Sequence, residues 1–299
     1  SRPVVDATQC TSDLVYQAVV NLIKQTGIDP NQIGVMILVT QTPDYILPAT
    51  SCILHNRLNL CNDTIVFDIN LGCSGYIYGL YVASTLLKNS DKSFALLLAG
   101  DTISKYAGND DASTRFIFGD AGSATLLEKD ESTNTMFFSL GTDGSGWQNL
   151  IIPAGGSRKK GNYENNKITI DQDGNKRTAE NLYMDGMEIF NFTISTVVPH
   201  IQEIIDKCGF PDIVVFHQAN RYMLEFMRKC LKIPKDKFLY SLGKYGNTSS
   251  ASIPLTLCSE LKKSDKTNKS LLSGFGVGYS WGSAMLNLRD TLLLNINEI

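Results

Sequence analysis

Side chains for metal or redox chemistry are scarce in this chain. It has three histidines, His55, His200 and His217, among 299 residues, so a His-based metal site has little material. The seven cysteines are Cys10, Cys52, Cys61, Cys73, Cys208, Cys230 and Cys258, and no two form a Cys-x-x-Cys pair. Their scatter and odd number argue against a zinc site or a disulfide framework, and for a reducing compartment, expected to be the cytoplasm. Neither sign of charge dominates: the formal net charge is −3 with 19% charged residues. A nucleic-acid binder or a membrane-surface protein is therefore not indicated. No apolar run approaches the roughly 20 residues of a membrane helix. No charged-then-apolar leader is visible, and a start at Ser-Arg-Pro rather than Met places the expected native start upstream.

What is present is a repeated order of elements. Residues 11–28 carry apolar positions at helical spacing, with Thr11 or Ser12 as expected N-caps and Gly27 as a stop. The run 33–40 reads as a buried parallel strand, 48–60 as a short helix opened by Pro48, 64–70 as a strand and 74–89 as a helix. Strands are expected at 93–101, 123–128 and 135–144. The second half repeats the pattern. It reads as a helix over 190–210 stopped by Gly209, a strand at 212–220, a helix at 221–233 and a strand from Lys237. A Gly corner at 246, a helix and a Gly-rich strand pair follow, and the polar stretch 153–167 reads as a surface loop. Such a repeat predicts two duplicated α/β halves, 1–134 and 135–299, related by a pseudo-twofold axis.

Three residues fall at strand exits, where open α/β sheets place their ligands. Cys73 sits at a strand-to-helix corner in "DINLGCSGYIYGLY", where a helix dipole is expected to lower its thiol pKa. His217 ends a strand in "FHQAN", and Asn247 follows a glycine in "YGNTSSAS", aligned with Cys73 in the other half. Singly, each has an ordinary alternative: a core cysteine, a core histidine, a helix cap. Together they suit acyl chemistry. The cysteine takes an acyl group from a thioester, and His and Asn donate to the carbonyl oxygen of a second thioester, holding an enolate. The Gly-rich "GFGVG" (274–278) offers a backbone N–H to complete an oxyanion hole with that of Cys73. Without a following Lys-Ser/Thr it is no phosphate loop.

These pieces, with "FGDAGSATLL" (118–127) and "GFGVGYSWGSA" (274–284), resemble the type III ketoacyl-acyl carrier protein synthases, condensing enzymes of the thiolase fold. The resemblance spans nearly the whole chain and implies a five-layered α-β-α-β-α fold and a homodimer. It implies Cys73 as the acyl-accepting nucleophile, His217 and Asn247 as the decarboxylation and condensation pair, and the amides of Cys73 and Val277 as the oxyanion hole. Thiolases use a second Cys, and hydroxymethylglutaryl synthases add a Glu, so the His…Asn pair sets this chain apart from both. Leu47 matches a position that shapes the partner's acyl pocket. The helix at 221–233, with Arg221, Arg228 and Lys229, matches the docking surface for an acidic acyl carrier protein. Acyl-coenzyme A and malonyl-acyl carrier protein are the implied substrates, with no metal or redox cofactor. The family's first strand is expected to be missing from this chain. "DDASTRF" stands where a basic coenzyme contact is shifted, and Val277 stands where many members have Gly. A strand 93–101 apolar on both faces suggests a sheet continuing across a subunit boundary. Two other readings stand beside condensation: acyl transfer to an alcohol or amine without C–C bond formation, and an inactive partner subunit on the same fold.

Overall fold

A computed structural model describes residues 2–130, 136–162, 166–262, 265 and 267–298. The expected boundary between halves, at residues 134 and 135, lies outside the described residues. So do residues 163–165 of the predicted surface loop.

The principal strands are β1 (Ile33–Val39), β2 (Ile65–Ile69), β3 (Phe94–Asp101), β4 (Ala121–Glu128), β5 (Phe137–Thr142), β6 (Ile213–Phe216), β7 (Ser270–Gly276) and β8 (Ser280–Leu286). The principal helices are α1 (Thr11–Thr26), α2 (Thr50–Arg57), α3 (Gly75–Lys88), α4 (Gly186–Phe192), α5 (Val198–Cys208), α6 (Arg221–Cys230) and α7 (Ser252–Glu260). One four-stranded sheet runs β2-β1-β3-β4 and the other β6-β7-β8-β5. In the first sheet β1 pairs parallel with both β2 and β3, and β4 joins β3 antiparallel; in the second, the edge strand β6 pairs parallel with β7, and β8 and then β5 follow antiparallel.

Alternation along these strands builds the layers. Val35, Ile37 and Val39 of β1 point into one cluster, and Met36 and Leu38 into another. In β6, Ile213 and Val215 share the first cluster, whereas Val214 and Phe216 turn to a third. Strand side chains alternate faces, so each sheet is coated on both sides. The shared cluster holds α3 and α7 between the two sheets. The outer clusters hold α1 and α2 on one side, and α4, α5 and α6 on the other. The result is five layers, α-β-α-β-α.

Several local expectations are corrected. Helix α1 is capped by Cys10, whose N–H donates to Asp13 Oδ2 at 2.9 Å. Thr11 and Ser12 are already helical, and Gly27 ends the helix at φ 67°. The helix predicted over 190–210 begins at Gly186 and is interrupted by a π-helical turn, Thr193–Val197, just before Pro199. Proline has no N–H and its ring crowds the carbonyl four residues back, so the wider turn relieves a clash that a straight helix would keep. The segment from Lys237 forms one bridge, Phe238 to Val214, rather than a strand. Strand β3 is internal, flanked by β1 and β4; the strand at that end of the sheet is β2. A sheet extended across a subunit boundary through β3 is therefore excluded. Among the described residues, no helix is long and apolar enough to cross a membrane.

Candidate active site

Cys73, His217 and Asn247 line one cleft, although 144 and 30 positions separate them along the chain. The cleft encloses about 510 Å³ of empty space, open solvent included, and is otherwise mostly apolar, with Ile189, Met223 and Phe275 in its wall.

Cys73 lies between the end of β2 and the first turn of α3. The corner closes through Gly75 N–H donating to Gly72 O at 2.8 Å. The end of β7 presses against it. A Cβ on Gly276, where φ is +156°, would sit 2.8 Å from Cys73 Cβ and 2.9 Å from Sγ, so only glycine fits. The sulfur faces the backbone N–H groups of Val277 and of Cys73 itself. The thiol pKa is pushed up to about 12. Burial is the main cause; the Val277 amide opposes it, the Asp101 charge adds to it and the Cys73 amide opposes it. The expected lowering by the helix dipole is thus overturned: the side chain is 8% exposed, and lost hydration outweighs the local field. Alkylation of Cys73 by iodoacetamide should therefore keep rising, about tenfold per pH unit, from about pH 7 to about pH 10, because only the thiolate reacts. A rate that levels off near neutral pH would contradict a raised pKa.

His217 follows β6, its backbone N–H donating to Ser273 O at 2.8 Å. The imidazole is fully buried. Nδ1 lies 2.7 Å from Ser252 Oγ, and Nε2 has no hydrogen-bond partner among the described residues. Burial drives its pKa down to about 3, against a smaller opposing contribution from the Ser249 backbone, so the ring is neutral at physiological pH. Asn247 is fixed at both backbone groups: its N–H donates to Ile117 O at 2.9 Å and its carbonyl accepts from Gly119 N at 2.9 Å. Its Oδ1 accepts from Ser249 N at 2.9 Å. The amide's Nδ2 donors are then the ones left for a ligand. The glycine of "FGD" is required here, since a Cβ on Gly119 would fall 2.2 Å from Tyr245 O.

The remaining residues of "HQAN" are structural. Gln218 is buried; its Oε1 accepts from Ser241 N and Leu242 N, and its Nε2 donates to Phe216 O. Asn220 caps α6, with Oδ1 accepting from Met223 N at 2.9 Å. Two further site residues were not anticipated. Ser252 contacts His217. Asp101, fully buried at the end of β3, accepts from Gln41 N, Thr40 Oγ1 and Thr42 Oγ1 of one half and from Ser250 N and Oγ of the other. Burial raises its pKa while these donors hold it down. The "TSSAS" run was the available signal, because small hydroxylic residues repeat there without helical spacing of apolar ones.

Other expected residues lie apart. Leu47 is 80% exposed and outside this cleft. On α6, Arg221 stacks on Tyr240 and stays half-exposed, and Lys229 is exposed. Arg228 does not face outward as expected. Its guanidinium donates to Glu225 Oε2 and to Ile233 O, and only 15% of the side chain is exposed.

Known proteins resemble this chain in sequence and fold. The family described as 3-oxoacyl-[acyl-carrier-protein (ACP)] synthase III matches residues 67–144, and the family of its C-terminal region matches residues 211–288. A Campylobacter jejuni protein named as a putative 3-oxoacyl-[acyl-carrier-protein] synthase 3 is 40% identical over 301 residues, covering 99% of this chain and 84% of the relative. The chain belongs to this family. A beta-ketoacyl-[acyl-carrier-protein] synthase III of Caldanaerobacter subterraneus is 33% identical over 292 residues, 95% of this chain and 85% of that protein. The crystal structure of a 3-oxoacyl-(acyl-carrier protein) synthase from Burkholderia xenovorans LB400 matches with a TM-score of 0.91 at 38% identity, over 99% of this chain and 85% of that one. The enzyme is thus a condensing acyltransferase with the thiolase fold.

Proposed function

We propose that the enzyme condenses an acyl thioester with malonyl-acyl carrier protein through an acyl-Cys73 intermediate, releasing CO2 and a 3-oxoacyl thioester. The observation that carries this reading is the opposition, in one cleft, of a buried thiol facing two backbone amides and a neutral imidazole beside a carboxamide. The half 1–134 supplies the nucleophile, and the half 135–299 supplies His217 and Asn247.

In the first step, Cys73 sulfur attacks the carbonyl of an acyl-coenzyme A. The oxyanion forms against the amides of Cys73 and Val277, the carbon–sulfur bond to the coenzyme breaks, and the thiol proton leaves on the coenzyme sulfur. In the second, the carbon–carbon bond to the malonyl carboxylate breaks and CO2 departs. The electron pair moves onto the thioester oxygen, held by His217 Nε2–H and the Asn247 amide. A Ser252 hydroxyl donating to Nδ1 keeps the ring proton on Nε2. The enolate carbon then attacks acyl-Cys73, and Cys73 sulfur leaves and takes up a proton. No redox cofactor or metal is needed, because the breaking carbon–carbon bond supplies the electron pair. With acyl-coenzyme A and malonyl-acyl carrier protein together, one CO2 should appear per coenzyme thiol released. An acyl group moved to an alcohol or amine without CO2 would favour the alternative.

We place the enzyme in the cytoplasm as a homodimer, with Leu47 reaching the partner's acyl pocket. The contiguous exposure of Tyr45, Ile46 and Leu47, at 63%, 88% and 80%, supports a covered apolar loop. In that sheet the terminal strands are β2 and β4, not β3, and we assign the pairing to β2, which leads directly into the Cys73 corner. For carrier docking, Arg221 and Lys229 are the available charges on α6. Arg221→Glu combined with Lys229→Glu should lower carrier-dependent turnover by about tenfold at low salt and flatten its salt dependence. Turnover of a small pantetheine substrate should be spared, and an equal loss with both substrates would count against docking here.

A further inference from the structure

The two amides that face Cys73 come from different halves of the chain. The Cys73 N–H is fixed by its own corner. Val277 stands between Gly276 at φ +156° and Gly278 at φ +133°, in the turn that joins β7 to β8. Two glycines leave such a turn free to reorient unless something holds it. Ser280 Oγ–H donates to Val277 O at 2.8 Å. Ser74 Oγ, on the residue after the nucleophile, lies 2.6 Å from Ser280 Oγ. The one Ser280 hydroxyl hydrogen is committed to Val277, so Ser74 is the donor between them. Both serines are buried, at 0% and 2% exposure. A two-bond chain therefore runs from the start of α3 across the boundary between the sheets to the Val277 carbonyl. The far side of the turn is held separately by Asp143, whose carbonyl accepts from Tyr279 N at 2.8 Å and whose N–H donates to Tyr279 O at 3.0 Å.

We propose that the Ser74–Ser280 hydroxyl pair positions the Val277 amide against the carbonyl carried by Cys73. Neither serine touches the acyl group. They register the oxyanion hole to the nucleophile, so that the amide of one half stays aimed at the sulfur of the other. The proposal rests on the acyl-Cys73 reading given above. It predicts a selective defect: oxyanion stabilisation at Cys73 weakens, whereas malonyl decarboxylation, which uses His217 and Asn247, does not.

The test measures three quantities on the full chain: the single-turnover rate of Cys73 acylation by an acyl-coenzyme A, the KM for that donor, and malonyl decarboxylation without a primer. Ser280→Ala should slow acylation by about 100-fold, the usual cost of a misplaced catalytic group, with KM and decarboxylation unchanged. Ser74→Ala should slow it less, because Ser280 keeps its bond to Val277. Ser280→Thr, which retains the hydroxyl, should restore most of the rate. Acylation of Ser280→Ala at the wild-type rate would overturn the proposal. So would a loss shared equally by decarboxylation, or an equal defect in Ser280→Thr. Absence of any Cys73 adduct in the wild type would instead bring down the underlying reading, and the proposal with it.

Discussion

Cys73→Ala should abolish condensation, with turnover falling by about a million-fold, the scale seen when the nucleophile is removed from an acyl-transfer site. The fold should survive. Cys73 sits in a corner already closed by Gly75 and Gly72, and its side chain lies against Gly276, which a smaller side chain would not disturb. The variant should bind acyl-coenzyme A and still decarboxylate a malonyl thioester, since the enolate is held by groups on the opposite wall. Stopped-flow or quenched assays of the two half-reactions would check this. Condensation that persists at more than a trace would mean that the acyl group passes directly between substrates, without a covalent stage.

The complementary result comes from the other half. His217→Ala and Asn247→Ala should each lower malonyl decarboxylation by about 100- to 1000-fold, the cost of removing one donor from a site of developing charge. Both should still acylate Cys73. The effects should be less than multiplicative in the double variant, because both donors address one oxygen. The neutral state of His217 sharpens the expectation. With its pKa near 3, decarboxylation should be flat from about pH 5 to about pH 9, because an imidazole already neutral gains nothing from losing a proton in that window. Loss of decarboxylation between pH 6 and 7 on the acid side would mean that the ring titrates at an ordinary pKa and is more hydrated than its burial indicates. Radiometric CO2 release from the malonyl thioester measures both effects.

Much of this was legible in the sequence because periodicity is local. The apolar runs of β1 and β3 predict strands covered on both faces, and the repeated element order predicts one sheet from each part of the chain. Cys73 and His217 are each found at a strand exit, after β2 and β6, whereas Asn247 follows a short helical turn, Leu242–Tyr245, and Gly246 instead of the expected strand. What failed depends on distant neighbours. The sign of the Cys73 pKa shift comes from how deeply the second half buries it, which the helix start cannot reveal. That β2 lies at the end of its sheet, while β3 is internal, follows from strand order rather than apolarity. The Ser74–Ser280 contact joins residues 206 positions apart. Arg228 is a different case: Glu225 stands three residues before it on the same helix, so its pairing could have been read from spacing alone. The segment from Lys237 has strand composition, but its backbone joins β6 through a single bridge, Phe238 with Val214, closed by Leu239 N–H donating to Val214 O, and composition cannot count hydrogen bonds.

The central claim is that one cysteine of the seven carries the acyl group. Intact-mass analysis after mixing the enzyme with an acyl-coenzyme A, without malonyl substrate, tests it most directly. The expected result is one acyl mass per chain, mapped by peptide digestion to the segment holding Cys73 and discharged on adding malonyl-acyl carrier protein. An adduct that persists in Cys73→Ala, or that maps to any of the other six cysteines, would contradict it.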